Sequence, residues 1–326
     1  MAEAYRFCLT RTGGPEVLAA EAIEPPPPGP REVLVRHEAV GLNFIDTYHR
    51  SGLYPVALPS GLGLEAAGLV EAVGEDVREF RAGNRVGYFS GPLGAYSSHR
   101  VIAADRLVRI PEGVSPSDAA ALMLKGCTAE MLIERCALVK PDDTVLVHSA
   151  AGGVGSILVP WLKHIGARVI AHAGSSDKAA RAAALGADEA LSCPYDKLAA
   201  EVRRLTDGKG VRVVLDGVGA SSWTASLGSV ARRGIMVSYG NASGPAPDFS
   251  PLELARAGSV FLTRPTLFDY VATPEDLAHS AGRLFELVAD GIVRAQIGQT
   301  FPLLEAAEAH RALEERRTTG STVLVP

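Results

Sequence analysis

Two rhythms in one chain predict an α/β protein built from a β-rich part and a doubly wound parallel sheet. Residues 1–113 contain short β-like runs, EVLVRHEAV (32–40), GLVEAV (68–73), RVGYF (85–89) and HRVIA (99–103), divided by Gly and Pro. From about residue 126 short apolar strands alternate with amphipathic helical stripes, the pattern of a parallel sheet with helical crossovers. Between the first strand and helix of that second region lies the glycine-rich turn AAGGVG (150–155).

The bulk numbers agree. A chain of 326 residues with 47% hydrophobic and 21% charged residues is long enough for two packed domains. A net charge of −5 does not favour a broad nucleic-acid or anionic-membrane surface. No window reaches about 18 uninterrupted apolar residues, and MAEAYRFCLTRTGG lacks the apolar run of a signal peptide. The cysteines, Cys8, Cys127, Cys136 and Cys193, have no C-x-x-C spacing. That argues against a disulfide framework and a structural zinc site, and a reduced cytoplasmic setting is the expectation. The tract EPPPPGP (24–30) reads as a rigid linker within the first part.

The second region starts with TVLVHS (144–149) and a helix whose stripe is Val154, Ile157, Leu158, Trp161, Leu162 and Ile165, ended by Gly166. Pro160 falls inside this helix and is expected to kink it. RVIAH (168–172), a helix over 176–186, VRVVLD (211–216), GIMVSY (234–239) and SVFLT (259–263) continue the alternation. An amphipathic helix on Leu277, Ala281, Leu284, Phe285 and Val288, then QTFPL, a helix over 303–316 and STVLVP, are expected to return to the first part.

A glycine-rich turn between a strand and a helix suits a dinucleotide. It turns tightly, lets backbone amides approach a pyrophosphate, and places the helix dipole against its charge. The fingerprint positions are Ala150, Gly152 and Gly155, with alanine at the first, and Gly152, Gly153, Val154 and Gly155 form the expected cradle. The second strand should end in an acidic residue if a ribose 2′-hydroxyl is held. Here that position is near Ala173, and Gly174, Ser175, Ser176 and Lys178 follow. Hydroxyls and a lysine suit a 2′-phosphate, so NADPH is the expected cofactor. The alternative leaves Lys178 a solvated helix charge, with Asp177 capping the helix or serving the ribose.

The blocks GLNFIDTYHRSGLYP (41–55), PSGLGLEAAGLVEAVG, LGAYSSHRVI, LMLKGCTAEMLI, SAAGGVG, LDGVG, VSYGNASG and TRPTL occur in this order along essentially the whole chain. Together they resemble the quinone oxidoreductase (zeta-crystallin-like) branch of the medium-chain dehydrogenase/reductase superfamily. The resemblance implies a β-rich GroES-like catalytic domain over 1–125 and 270–326 and a Rossmann NADPH-binding domain over 126–269. Zinc alcohol dehydrogenases of that superfamily use a cysteine near the position of Asn43, a histidine in a Gly-His-Glu motif and a later cysteine. This chain has Asn43, then Gly63-Leu64-Glu65, then Leu124 beside Lys125, with Cys127 offset. One glutamate cannot make a three-ligand zinc site, so no metal is expected. His49 and His99 read as surface or core histidines.

What the resemblance implies for function is reduction of a quinone or similar conjugated carbonyl by direct hydride transfer from NADPH. Such acceptors are already electrophilic, and hydrogen-bond donors suffice for the developing oxyanion. Enone, alkenal or enoyl-thioester reduction uses the same chemistry, and a non-catalytic NADPH-binding protein with an RNA-binding or structural role is the reading from another class. Expected catalytic residues are Asn43, Tyr48, Tyr54 and Lys125, with Asp46 as a helix cap or orienter and Glu65 structurally paired. Expected cofactor contacts add Asn43, Ser175, Lys178, Tyr195, Gly217, Tyr239, Gly240, Asn241, Arg264 and Arg316. Tyr195 stands in for a tyrosine the family often has nearer Ser192-Cys193. A homodimer through the edge strand GSVFLT (258–263) is also implied, since an exposed apolar edge needs a cover.

Overall fold

The computed structural model describes residues 4–326. It divides into two compact units. The first comprises 1–125, 271–285 and 294–326, and the second 126–270 and 286–293. The stretch 286–293, at the end of the Pro274–Ala289 helix and just beyond it, therefore groups with the second unit.

The first unit is organised by the strand Glu32–Leu42, whose alternation of polar and apolar residues buries Val33, Val35, Ala39 and Val40. It pairs along its length with Glu65–Val73, antiparallel, and two register shifts accompany that pairing. On its other edge the first half takes His99–Ala103 and the second half takes Ser321–Val325. Ile297–Pro302, Arg85–Tyr88 and Val108–Arg109 complete a seven-stranded sheet among the described residues. Val33, Val35, Val40, Leu42, Leu62, Val70, Tyr88, Tyr96 and Leu324 form its core.

The second unit holds a six-stranded sheet, every neighbouring pair parallel. Its order is Glu189–Leu191, Arg168–His172, Thr144–His148, Val211–Asp216, Val230–Ser238, Phe261–Thr263. The order reverses between Thr144–His148 and Val211–Asp216, which is where open parallel sheets bind ligands. The predicted strands 168–172 and 211–216 appear with those bounds, while the expected edge strand 258–263 is shorter, Phe261–Thr263. The glycine-led helix runs Gly155–Ile165 without a break at Pro160. An internal proline costs about 3 kcal/mol. Ile157, Leu158, Trp161 and Leu162 are buried, each contributing roughly 1.5–3 kcal/mol, so packing outweighs it. No helix among the described residues is long and apolar enough to cross a membrane.

Candidate active site

In the first unit two of the predicted catalytic residues, Asn43 and Lys125, meet on one buried carboxylate. Glu65 opens its strand in register with Gly41 and is fully buried. Its Oε2 accepts from the Asn43 amide at 2.8 Å and the Lys125 ammonium at 3.3 Å, and its Oε1 accepts from the Leu124 backbone N–H at 2.7 Å. Gly41 makes this possible, because a Cβ there would lie 2.2 Å from Glu65 Oε2 and 2.3 Å from the Ala120 carbonyl. Asn43 also donates to the Gly41 carbonyl at 3.3 Å. Its side-chain N–H groups are thus turned inward, and its carbonyl oxygen faces the Asp46 backbone N–H in the capping box of the next helix.

Asn43 caps the helix Phe44–Ser51. Asp46, at the third helical position, accepts the Asn43 backbone N–H at 2.9 Å, so its capping role is the reciprocal half of a box rather than the cap itself. Gly52, in the left-handed region, ends the helix. This short turn then lays Tyr54 against Tyr48, ring centroids 5.1 Å apart, and Phe44 also packs on Tyr48 at 6.1 Å. Tyr48 is buried and Tyr54 half-buried. His49 edges Tyr54 at 6.0 Å, and burial lowers its pKa.

Behind this helix lies a polar chain that sequence reasoning missed. Arg50 donates to His310 Nδ1 at 2.9 Å and takes Glu314 in a two-pronged ion pair at 2.6 and 3.0 Å. His310 Nε2 meets the Tyr96 hydroxyl at 2.9 Å, and that hydroxyl donates to Asp46 Oδ2 at 3.1 Å. Burial pushes Asp46 up to about 7 against the lowering effect of its Asn43 and Tyr96 hydrogen bonds, and pushes His310 down to about 3. The one available signal was the i,i+4 spacing of Asp46 and Arg50 on a single helix.

In the second unit the glycine-rich turn has the expected geometry. Ser149 turns the chain at φ 50°, and Gly152 N–H donates back to its carbonyl at 2.8 Å. A Cβ on Gly155 would lie 2.4 Å from that carbonyl oxygen and 2.6 Å from Ala150 Cα, so this glycine sets the close approach of helix to strand. Ala150 is fully buried without strain, which explains why alanine serves at the first fingerprint position. Gly153 and Val154 complete the turn before the helix begins at Gly155. Beside it, Ser175 caps the helix Ser176–Ala184 by accepting from the Lys178 N–H at 3.3 Å, and no acidic side chain follows Ala173 before Asp177. Tyr195 lies against His172 and His148, centroids 4.9 and 5.8 Å away.

The turns after the next two strands interlock. Gly217 leaves room for the Tyr239 ring, and a Cβ on Gly240 would lie 2.4 Å from the Gly217 carbonyl. Asn241 is half-buried at this edge. The Asp216 carboxylate anchors the turn after its own strand, accepting from Val218 N–H, Gly219 N–H, Ser222 Oγ and Ser226 Oγ, and its backbone carbonyl accepts the Tyr239 N–H. Ser226 in turn meets His148 Nε2 at 2.8 Å. Arg264 is exposed and donates to the Pro265 carbonyl, while Arg316, exposed in the first unit, sits at φ 61°.

Residues 29–112 match the family model for the alcohol dehydrogenase GroES-like domain, and residues 153–275 that for zinc-binding dehydrogenases. A quinone oxidoreductase of Pseudomonas aeruginosa is 49% identical over 99% of this chain and 100% of its own length. The crystal structure of the Escherichia coli quinone oxidoreductase complexed with NADPH superposes with a TM-score of 0.95 at 44% identity, covering 99% of this chain and 100% of that one. A 2-haloacrylate reductase of Burkholderia is 41% identical, covering 98% of both chains. The fold and site define a medium-chain dehydrogenase/reductase, a catalytic β-domain paired with a dinucleotide-binding parallel sheet. Within that superfamily the chain belongs to the quinone oxidoreductase family.

A catalytic zinc does not fit this site. The single carboxylate at its centre already accepts three N–H donors, one of them an ammonium on the oxygen a cation would need. Among the described residues no group of three or more His, Cys, Asp or Glu side chains is placed to hold a metal ion.

Proposed function

We propose that this protein is an NADPH-dependent quinone oxidoreductase, reducing a quinone or a similarly conjugated carbonyl by direct hydride transfer. The observation that carries the reading is the buried Lys125–Glu65–Asn43 cluster, a fixed cation at the catalytic centre of the first unit. NADPH supplies the hydride when bound. The residues present suit it: backbone amides of Gly152–Gly155 for the pyrophosphate, Ser175 and Lys178 for the 2′-phosphate, and Gly217, Tyr239, Gly240 and Asn241 at the sheet's ligand edge. Tyr195, Arg264 and Arg316 serve as further cofactor contacts in this reading.

The first unit supplies the electrostatics. The Lys125 ammonium has three protons and gives one to Glu65, leaving two for the oxyanion that forms as hydride arrives. Glu65 fixes its position and offsets its burial cost. In this reading Asn43 contacts the nicotinamide or the acceptor, and Tyr48 and Tyr54 offer flat ring faces to a planar acceptor.

The likeness to a 2-haloacrylate reductase favours a second reading, reduction of a carbon–carbon double bond conjugated to a carboxyl or thioester. The enzyme works in the cytoplasm as a dimer paired through the Phe261–Thr263 edge, where Phe261 is 64% exposed. A steady-state panel of NADPH oxidation tests the reading, with a quinone, an enone, an enoyl-CoA and a primary alcohol, the last run in reverse with NADP. Fastest turnover of the quinone is expected. Preference for the enoyl-CoA selects the second reading, and turnover of the alcohol alone overturns both.

A further inference from the structure

We propose that Asp46 is a neutral acid in the folded protein and that Arg50, His310 and Tyr96 form a directed positioning chain that orients it, and thereby holds Asn43 and the helix carrying Tyr48. The direction follows from donor chemistry. Arginine only donates, so His310 Nδ1, 2.9 Å from Arg50, must be the accepting nitrogen. His310 therefore carries its proton on Nε2 and donates to the Tyr96 oxygen at 2.9 Å. The single Tyr96 hydroxyl proton then goes to Asp46 Oδ2.

Asp46 Oδ2 thus has two donors, Tyr96 and the Asn43 backbone N–H. Its other oxygen, Oδ1, is buried with no hydrogen-bond partner. An ionised carboxylate would leave half its charge on that bare oxygen, away from water. A protonated one leaves only an unpartnered O–H there, which costs less than an uncompensated charge. Arg50 is on the same helix, one turn on, where an i,i+4 ion pair would normally form. It is already committed to Glu314, His310 and the Gly13 carbonyl, and a neutral imidazole and phenol stand between it and Asp46. The remaining charges that face Asp46 act in opposite directions, Lys125 favouring ionisation and Glu65 opposing it, and they are joined to each other. Burial raises Asp46 to about 7, in keeping with this geometry. When Asp46 ionises, its bare oxygen must find a donor or water. Admitting one disturbs the first helical turn, to which Asp46 is bonded through the Asn43 N–H.

The activity readout rests on the quinone reductase reading, whereas the spectroscopic readout does not. Infrared difference spectra of the whole unliganded protein, wild type minus Asp46→Asn, should show a protonated carboxylic C=O band at mildly acid pH that titrates away above neutrality. Tyr96→Phe removes one donor from the ionised form, so the band should persist to a pH about one unit higher. Wild-type kcat/KM for the quinone should fall through the same alkaline step, Tyr96→Phe should move the step upward with the band, and Asp46→Asn should lack it. If Asp46→Asn does not fold, the Tyr96→Phe shift alone carries the test. No protonated band, or a band and step that Tyr96→Phe leaves in place, overturns the proposal. A band that behaves as expected in a protein without quinone turnover upholds the chain and rejects the reductase reading.

Discussion

Asp46 and Asp216 are both fully buried aspartates, one in each unit, and the fold treats them in opposite ways. Asp216 accepts from two backbone amides and two serine hydroxyls, using both oxygens. Asp46 accepts from two donors on one oxygen and leaves the other bare. Burial alone does not define a carboxylate's role; the number and direction of its donors do. Asp216 is a lock that ties the turn after its strand to the helix that follows. Asp46 is an acid held in place by a chain that points at it.

The largest test of this contrast is pH. His37 and His310 are pushed by burial to about 3 and His148 to about 4, so the folded state binds fewer protons there than the unfolded chain between pH about 6.5 and 4. Each makes stability fall as pH falls through that window. Asp46, raised to about 7 from 3.8, is protonated when folded and ionised when unfolded, so it works the other way. Among these groups three against one leave a net two protons, a loss of about 2.7 kcal/mol per pH unit on acidification, and the lowered His49 and His172 act in the same direction. Asp46→Asn removes the opposing group and should steepen the fall by about 1.4 kcal/mol per unit, measured by denaturant unfolding at several pH values.

Asp216→Ala comes next. It strands four donors inside the second unit, at about 1–3 kcal/mol for each that finds no water. A loss of about 4 kcal/mol is expected, lowering the melting temperature by roughly 10 °C. A drop no larger than that of a surface substitution would show that the lock is redundant. Lys125→Met should cost about 3 kcal/mol, because Glu65 is left a buried unpaired charge, and lower kcat for a quinone about 100-fold. Loss of stability without loss of turnover would make the lysine a structural partner only. Smallest, Lys178→Ala should raise the Kd for NADPH about tenfold and leave that for NADH unchanged, a difference of about 1.4 kcal/mol.

Much of the second unit was legible because local pattern and tertiary role coincide there. The strands 168–172 and 211–216 are continuous apolar runs, and a parallel strand buried on both faces requires that. The glycine-rich turn was readable because a close backbone approach leaves a missing side chain as its trace. In the first unit Asn43, Glu65 and Lys125 came from the resemblance, and the structure brings them onto one carboxylate. Their convergence had no local signature, since 22 and 60 positions separate Glu65 from its two side-chain partners. The Arg50–His310–Tyr96–Asp46 chain was illegible for the same reason, as it crosses 260 and 214 positions. The helix through Pro160 was legible for a related reason: the proline penalty is local, while the apolar stripe continues on both sides of it and is buried.

One feature of the first sheet bears on how the chain is made. The strand Glu32–Leu42 pairs with Ser321–Val325, so an early strand waits for a very late one. The strands of the second sheet all lie between Thr144 and Thr263. On a ribosome the dinucleotide unit can therefore close while its host sheet still lacks an edge, and long loop closure also makes the host slower to refold. Pulse-labelled hydrogen exchange during refolding should protect the amides of Val145–Val147 before those of Val40 and Val323. The opposite order would show that the interrupted sheet nucleates despite its interruption.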